Sequence, residues 1–78
     1  VDVAVNPDNP VIVKAGRSFS ANPDSVVWFA REYIKAHRRY GVITSLKHFP
    51  GHGSSKDDTH FGIADVTKYW QPYELMPY

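Results

Sequence analysis

The chain has 78 residues, so it holds one domain at most, and a unit of this size buries only a modest share of its surface. It contains no cysteine, which excludes disulfides and thiolate metal sites without fixing a compartment. Nine Lys and Arg stand against eight Asp and Glu, a net charge of +1 that gives no sign of a nucleic-acid binder, and no apolar run approaches the roughly 18 residues of a membrane span.

Residues 1–5, VDVAV, are valine-rich and weakly alternating, which predicts a short strand. Residues 6–10, NPDNP, predict a turn or loop. Residues 11–13 suit a second short strand or an extended arm, and residues 14–21 a loop. The helix signal that follows is strong. Asn22 suits an N-cap, Pro23 the first helical position, and Asp24 the positive end of the helix dipole. Val26, Phe29, Ala30, Tyr33, Ile34 and His37 fall on one stripe and predict a buried face, with Arg31, Lys35 and Arg38 opposite. Gly41 suits the C′ position.

Residues 42–46 form a compact β-prone run, which predicts a strand lying parallel to residues 1–5 in a β-α-β unit. Polar residues begin at Lys47 and His48, where functional groups of α/β folds gather at strand ends. Residues 50–55 then read as loop. Residues 65–78 suit the start of another helix, with 71–75 at its first turn. The fold class expected is thus α/β. Two strands and one helix cannot cover both faces of a parallel sheet. The sequence therefore predicts either a piece of a larger domain or copies that complete one another.

Chemistry concentrates in residues 47–60, KHFPGHGSSKDDTH. Taken by themselves they allow three readings. Asp58 and His60 could form an acid–base pair, the carboxylate fixing the imidazole tautomer, against the plainer reading of a solvated loop pair. His48, His52 and His60 with an aspartate could hold a metal ion, although the spacing matches no recurrent ligand pattern. Gly51, Gly53, Ser54 and Ser55 could offer backbone N–H groups to an anion, or make a simple turn. Elsewhere Arg17 is a lone loop arginine, of interest if its loop shares a face with Lys47 and His48. The basic residues Arg31, Lys35, Arg38 and Arg39 read as a solvated helix side. Trp28 and Trp70 read as packing residues more readily than as sugar platforms.

The run Lys47-His48-Phe49-Pro50-Gly51-His52-Gly53, then four residues, then Asp58-Thr59-His60, resembles the signature of family 3 glycoside hydrolases on the β-N-acetylhexosaminidase branch. Gly16-Arg17-Ser18-Phe19-Ser20 followed by Asn22-Pro23 resembles the R-S-F-[GS]-x-[DN]-P stretch of the same family. Asp2 with the Asn/Pro-rich segment after it, and Glu74-Leu75-Met76-Pro77-Tyr78, resemble flanking stretches, so the likeness covers nearly the whole chain.

The resemblance implies a TIM-type (β/α)8 barrel, which needs about 250 residues. Residues 1–78 would then be a partial N-terminal catalytic domain of about two β/α units, ordered strand, loop, helix, strand, catalytic loop. It implies that Arg17, Lys47 and His48 bind hydroxyls of a terminal N-acetylglucosamine-type sugar. His60 would be the general acid/base, held by Asp58, and His52 would shape the loop. The nucleophilic aspartate is expected beyond Tyr78, leaving the 78-residue chain inactive by itself. No cofactor and no metal are implied. The partner expected is an N-acetylglucosamine-containing glycan, with no nucleic acid and no membrane span. The alternative is a non-enzymatic binding or self-associating fragment, driven by uncovered apolar faces.

Overall fold

The computed structural model describes residues 1–56 and 66–78. Two helical elements stand in these residues: α1 (Pro23–Arg39) and a short 3-10 helix (Pro72–Leu75). Helix α1 starts where its residue types require. Asn22 is extended, its side chain accepts from the Asp24 N–H at 2.9 Å, and Pro23 opens the first turn. The helix ends at Tyr40, and Gly41 takes a positive φ of 72°, which suits a residue without Cβ. His37, Arg38 and Arg39 sit in the last turn, against the negative end of the helix dipole.

The α/β expectation is overturned, and with it the barrel fragment and its β/α units: no strand is present among the described residues. The reason lies in where the backbone hydrogen bonds go. A strand needs a continuous ladder with one neighbour. Here the Val1 amino group donates to Lys47 O, Ala4 N–H to Ser20 O at 2.9 Å, and Asn6 N–H to Gly53 O at 3.0 Å. Residues 1–6 therefore spend single bonds on three different segments. Residues 11–13 lie in turns, drawn in by Asn9. In residues 42–46, expected to pair as a strand, Ile43 is 96% exposed. Val42 N–H bonds back to the end of α1, to His37 O at 3.0 Å, and continues no ladder.

The same lack of cover changes the helix stripe. Val26 and Ala30 are buried as the spacing predicts, whereas Phe29 and Tyr33 on that stripe are exposed. Aromatic neighbours shield them in part: Phe19 stacks on Phe29 at 5.7 Å, and Tyr33 stacks on His37 at 4.2 Å.

The core is small and mixed. Val3, Ile12 and Val26 are buried beside the polar Asn9, Ser55 and Glu74. Burying an apolar side chain of this size contributes about 1.5–3 kcal/mol. So few of them leave much of the definition of the structure to hydrogen bonds that join distant loops. Residues 71–75 do make one helical turn, closed where Gln71 N–H donates to Glu74 Oε2 at 2.7 Å.

Candidate active site

The centre of the site is the loop at residues 47–55, folded onto residues 1–9. Both the Lys47–His48 and Phe49–Pro50 peptide bonds are cis. Gly51 N–H donates to His48 O at 2.7 Å, closing a tight turn. Gly51 has φ 121°, a conformation L side chains rarely adopt, and a Cβ there would lie 2.9 Å from Glu74 Cβ. A glycine at this position lets the loop lie flat against the 3-10 helix. Trp70 adds a second tie, its Nε1–H donating to Pro50 O at 2.8 Å, and Phe49 packs edge-on to Tyr78 at 5.4 Å.

Asp2 organises the histidines. Its side chain is 4% exposed. Oδ1 accepts the His52 N–H at 2.7 Å and the His48 N–H at 3.4 Å, and Oδ2 meets His48 Nδ1 at 2.7 Å. Buried polar groups need such partners, because an unpaired one costs about 1–3 kcal/mol. His48 itself is half-buried, so its ring is anchored on one side and reachable on the other. The Asp2 backbone oxygen accepts the Ser18 hydroxyl at 2.7 Å, which ties the loop after Arg17 to the same residue.

Asn9, fully buried, is the second hub. Nδ2 donates to His52 O at 2.7 Å and Ser55 O at 2.8 Å, and Oδ1 accepts from Ile12 N–H at 2.7 Å and Val13 N–H at 3.3 Å. Every polar atom of this side chain is engaged. The amide holds the 47–55 loop to the 9–13 turn.

The residues singled out in the sequence are placed as follows. His48 sits in the Asp2 site. Lys47, next to it, has an exposed side chain. Arg17 is exposed, with Nη1 3.4 Å from Val11 O, and makes no hydrogen bond or ion pair with Lys47 or His48. The connection between these residues runs through Asp2 and Ser18. His52 is buried in the loop, its N–H and C=O both engaged and its Nε2 unpartnered. The rings of His48 and His52 lie 6.2 Å apart. Asp58 and His60 lie outside the described residues. Lys56 Nζ lies 4.8 Å over the Tyr69 ring. Among the described residues no group of three or more His, Asp or Glu side chains is placed to hold a metal ion.

Two residues of the site carried no such role in the sequence. Asp2 read as part of a strand and Asn9 as part of a turn. A clue to Asp2 was present: a carboxylate between two valines needs a buried partner if its neighbours enter a core. Tyr78 also reaches this region. Burial first, then the carboxylates of Asp2 and Glu74, hold its phenol above the ordinary tyrosine range.

Comparison with known proteins gives the family of the chain. The family model for the glycosyl hydrolase family 3 N terminal domain matches residues 1–78. The chain is 48% identical over 66 residues to beta-hexosaminidase A of Pseudoalteromonas piscicida, covering 85% of this chain and 11% of that protein. It is 45% identical over 62 residues to beta-hexosaminidase LpqI of Mycobacterium tuberculosis, covering 80% and 16%. It is 48% identical over 65 residues to a beta-hexosaminidase of Xanthomonas euvesicatoria pv. vesicatoria, covering 80% and 20%. The chain thus spans between 11% and 20% of the length of these relatives. No solved structure matches it significantly. The chain belongs to glycosyl hydrolase family 3, matching its N-terminal domain, with relatives on the β-hexosaminidase branch.

Proposed function

We propose that this chain supplies the sugar-holding and acid/base residues of a retaining β-N-acetylglucosaminidase acting on terminal N-acetyl-β-D-glucosaminyl residues. The observation that carries the reading is His48, held by buried Asp2 inside the K-H-F-P-G-H-G loop with its ring half open to solvent. Lys47 beside it brings three N–H donors and Arg17 five, a set suited to sugar oxygens.

In the proposed reaction, His60 acts as the general acid/base and Asp58 as its carboxylate partner. As a nucleophilic carboxylate attacks the anomeric carbon, the glycosidic C–O bond breaks and the leaving oxygen takes a proton from His60. Water then attacks the glycosyl ester, gives its proton to His60, and releases the carboxylate. An imidazole suits this work because its unperturbed pKa near 6.5 lies close to neutral pH. No aspartate of residues 1–78 is assigned the nucleophile's role, so residues 1–78 alone are expected to give no turnover.

The test is His60→Ala in the intact protein. With a substrate whose aglycone needs protonation, the rate is expected to fall by about 10²–10⁴-fold. With an activated aryl aglycone the loss should be smaller, and added azide should restore turnover as the β-glycosyl azide. A loss of only a few-fold on both substrates would overturn the assignment.

A second reading, self-association, is favoured by the exposed Val42, Ile43 and Leu46. Sedimentation of residues 1–78 tests it. A concentration-independent monomer would remove it.

A further inference from the structure

We infer that Asp2 is a positioning residue that keeps the proton of His48 on Nδ1, making Nε2 a hydrogen-bond acceptor aimed at a donor hydroxyl of the sugar. This rests on the reading that Lys47 and His48 hold the sugar.

The inference starts from the two oxygens of Asp2. Oδ1 is occupied by two backbone N–H groups, from His52 at 2.7 Å and His48 at 3.4 Å. These contacts fix the plane of the carboxylate and leave Oδ2 for the ring, at 2.7 Å from His48 Nδ1. With both groups buried on this side, the ring cannot turn its other nitrogen to Asp2 without losing the short bond. An ionised carboxylate has no proton to give, so the proton between the two atoms belongs to Nδ1. A neutral imidazole with Nδ1–H carries its lone pair on Nε2, which then accepts and cannot donate. Lys47 has the opposite character, offering donors and no acceptor. Adjacent in sequence, residues 47 and 48 therefore offer one donor and one acceptor. A sugar hydroxyl can satisfy both, whereas an ether or fluorine at the same position can satisfy the lysine alone.

Asp2→Asn reverses the polarity at one atom. The His52 and His48 N–H groups still need an acceptor, so the amide oxygen takes the place of Oδ1 and Nδ2 faces His48 Nδ1. An N–H facing Nδ1 drives the ring proton to Nε2.

Two measurements on the intact protein test this. The first is nitrogen NMR of His48 at a pH where the ring is neutral, assigned by its loss in His48→Ala. The wild type is expected to show a protonated Nδ1 and an unprotonated Nε2, and Asp2→Asn the reverse. A wild-type ring protonated on Nε2 would overturn the inference even if the variant failed to fold. The second is steady-state kinetics on an aryl N-acetyl-β-glucosaminide. Asp2→Asn and His48→Ala should each raise KM about tenfold or more with a smaller change in kcat. An unchanged KM in Asp2→Asn beside a raised KM in His48→Ala would overturn the inference alone. An unchanged KM in His48→Ala would overturn the sugar-holding reading itself, and the inference with it.

Discussion

A Cβ built on Gly53 would lie 1.6 Å from the backbone oxygen of Val3. Residue 53 must therefore be glycine for residues 1–6 to lie directly on the 52–55 loop, where Asn6 N–H reaches Gly53 O at 3.0 Å. That approach brings Asp2 and His48 together. Sequence-distant segments meet here through backbone, and the site is built on the meeting.

Gly53→Ala is accordingly expected to be severe, costing about 3 kcal/mol or more, because the neighbour is backbone and cannot turn aside. Gly16→Ala gives the contrast. Gly16 has φ 65° but nothing within 4 Å of a built Cβ, so only the left-handed conformation is penalised, at about 1–2 kcal/mol. Urea unfolding of both variants checks the difference, and equal losses would contradict it.

Asn9→Ala should cost about 3 kcal/mol, since it leaves the His52 and Ser55 carbonyls and the Ile12 and Val13 N–H groups without the buried amide. Asn9→Asp is expected to be no better despite its matching shape. It keeps the acceptor for Ile12 and Val13 but turns a second oxygen toward two carbonyls. Stability near that of the parent in Asn9→Asp would show that the two donated bonds contribute little.

Asn22→Ala removes the side chain that accepts from Asp24 N–H and should cost about 1 kcal/mol. Asn22→Asp should stay close to the parent, because aspartate caps equally well and favours the positive helix end. Thermal unfolding followed by helix circular dichroism reads both.

Tyr78 links stability to alkaline pH. Its folded phenol titrates above the ordinary tyrosine value, so its contribution is intact below about pH 10 and is lost as pH rises from there through the folded value. Tyr78→Phe should lose less stability than the parent on going from pH 9 to above 10 (the lower limit set by the ordinary tyrosine pKa of about 10). Ultraviolet titration should show one tyrosinate of five appearing late in the parent and missing from the variant.

Much of α1 was legible, because its determinants are local. Asn22, Pro23 and Gly41 act within a turn of themselves, and all three stand where the sequence predicts. The predicted strands are absent among the described residues. The valines of residues 1–5 report a tendency to be extended, whereas a strand also needs a neighbour, and these residues bond to Ser20, Lys47 and Gly53 in turn. The same limit explains the exposure of Phe29 and Tyr33, whose stripe predicts cover that the described residues do not provide. In the site, the motif singled out Lys47 and His48. Asp2 and Asn9 act across 46 and 43 residues of chain, respectively, and nothing in their immediate neighbours announces the partner. His60 and Asp58 remain assignments of the motif alone.

The most direct measurement is the anomeric configuration of the first-formed sugar when the intact protein hydrolyses an aryl N-acetyl-β-D-glucosaminide, followed by proton NMR. Double displacement predicts that the β-anomer appears first and mutarotates afterwards to the equilibrium mixture. Initial appearance of the α-anomer, or no hydrolysis of this substrate by the intact protein, would contradict the account.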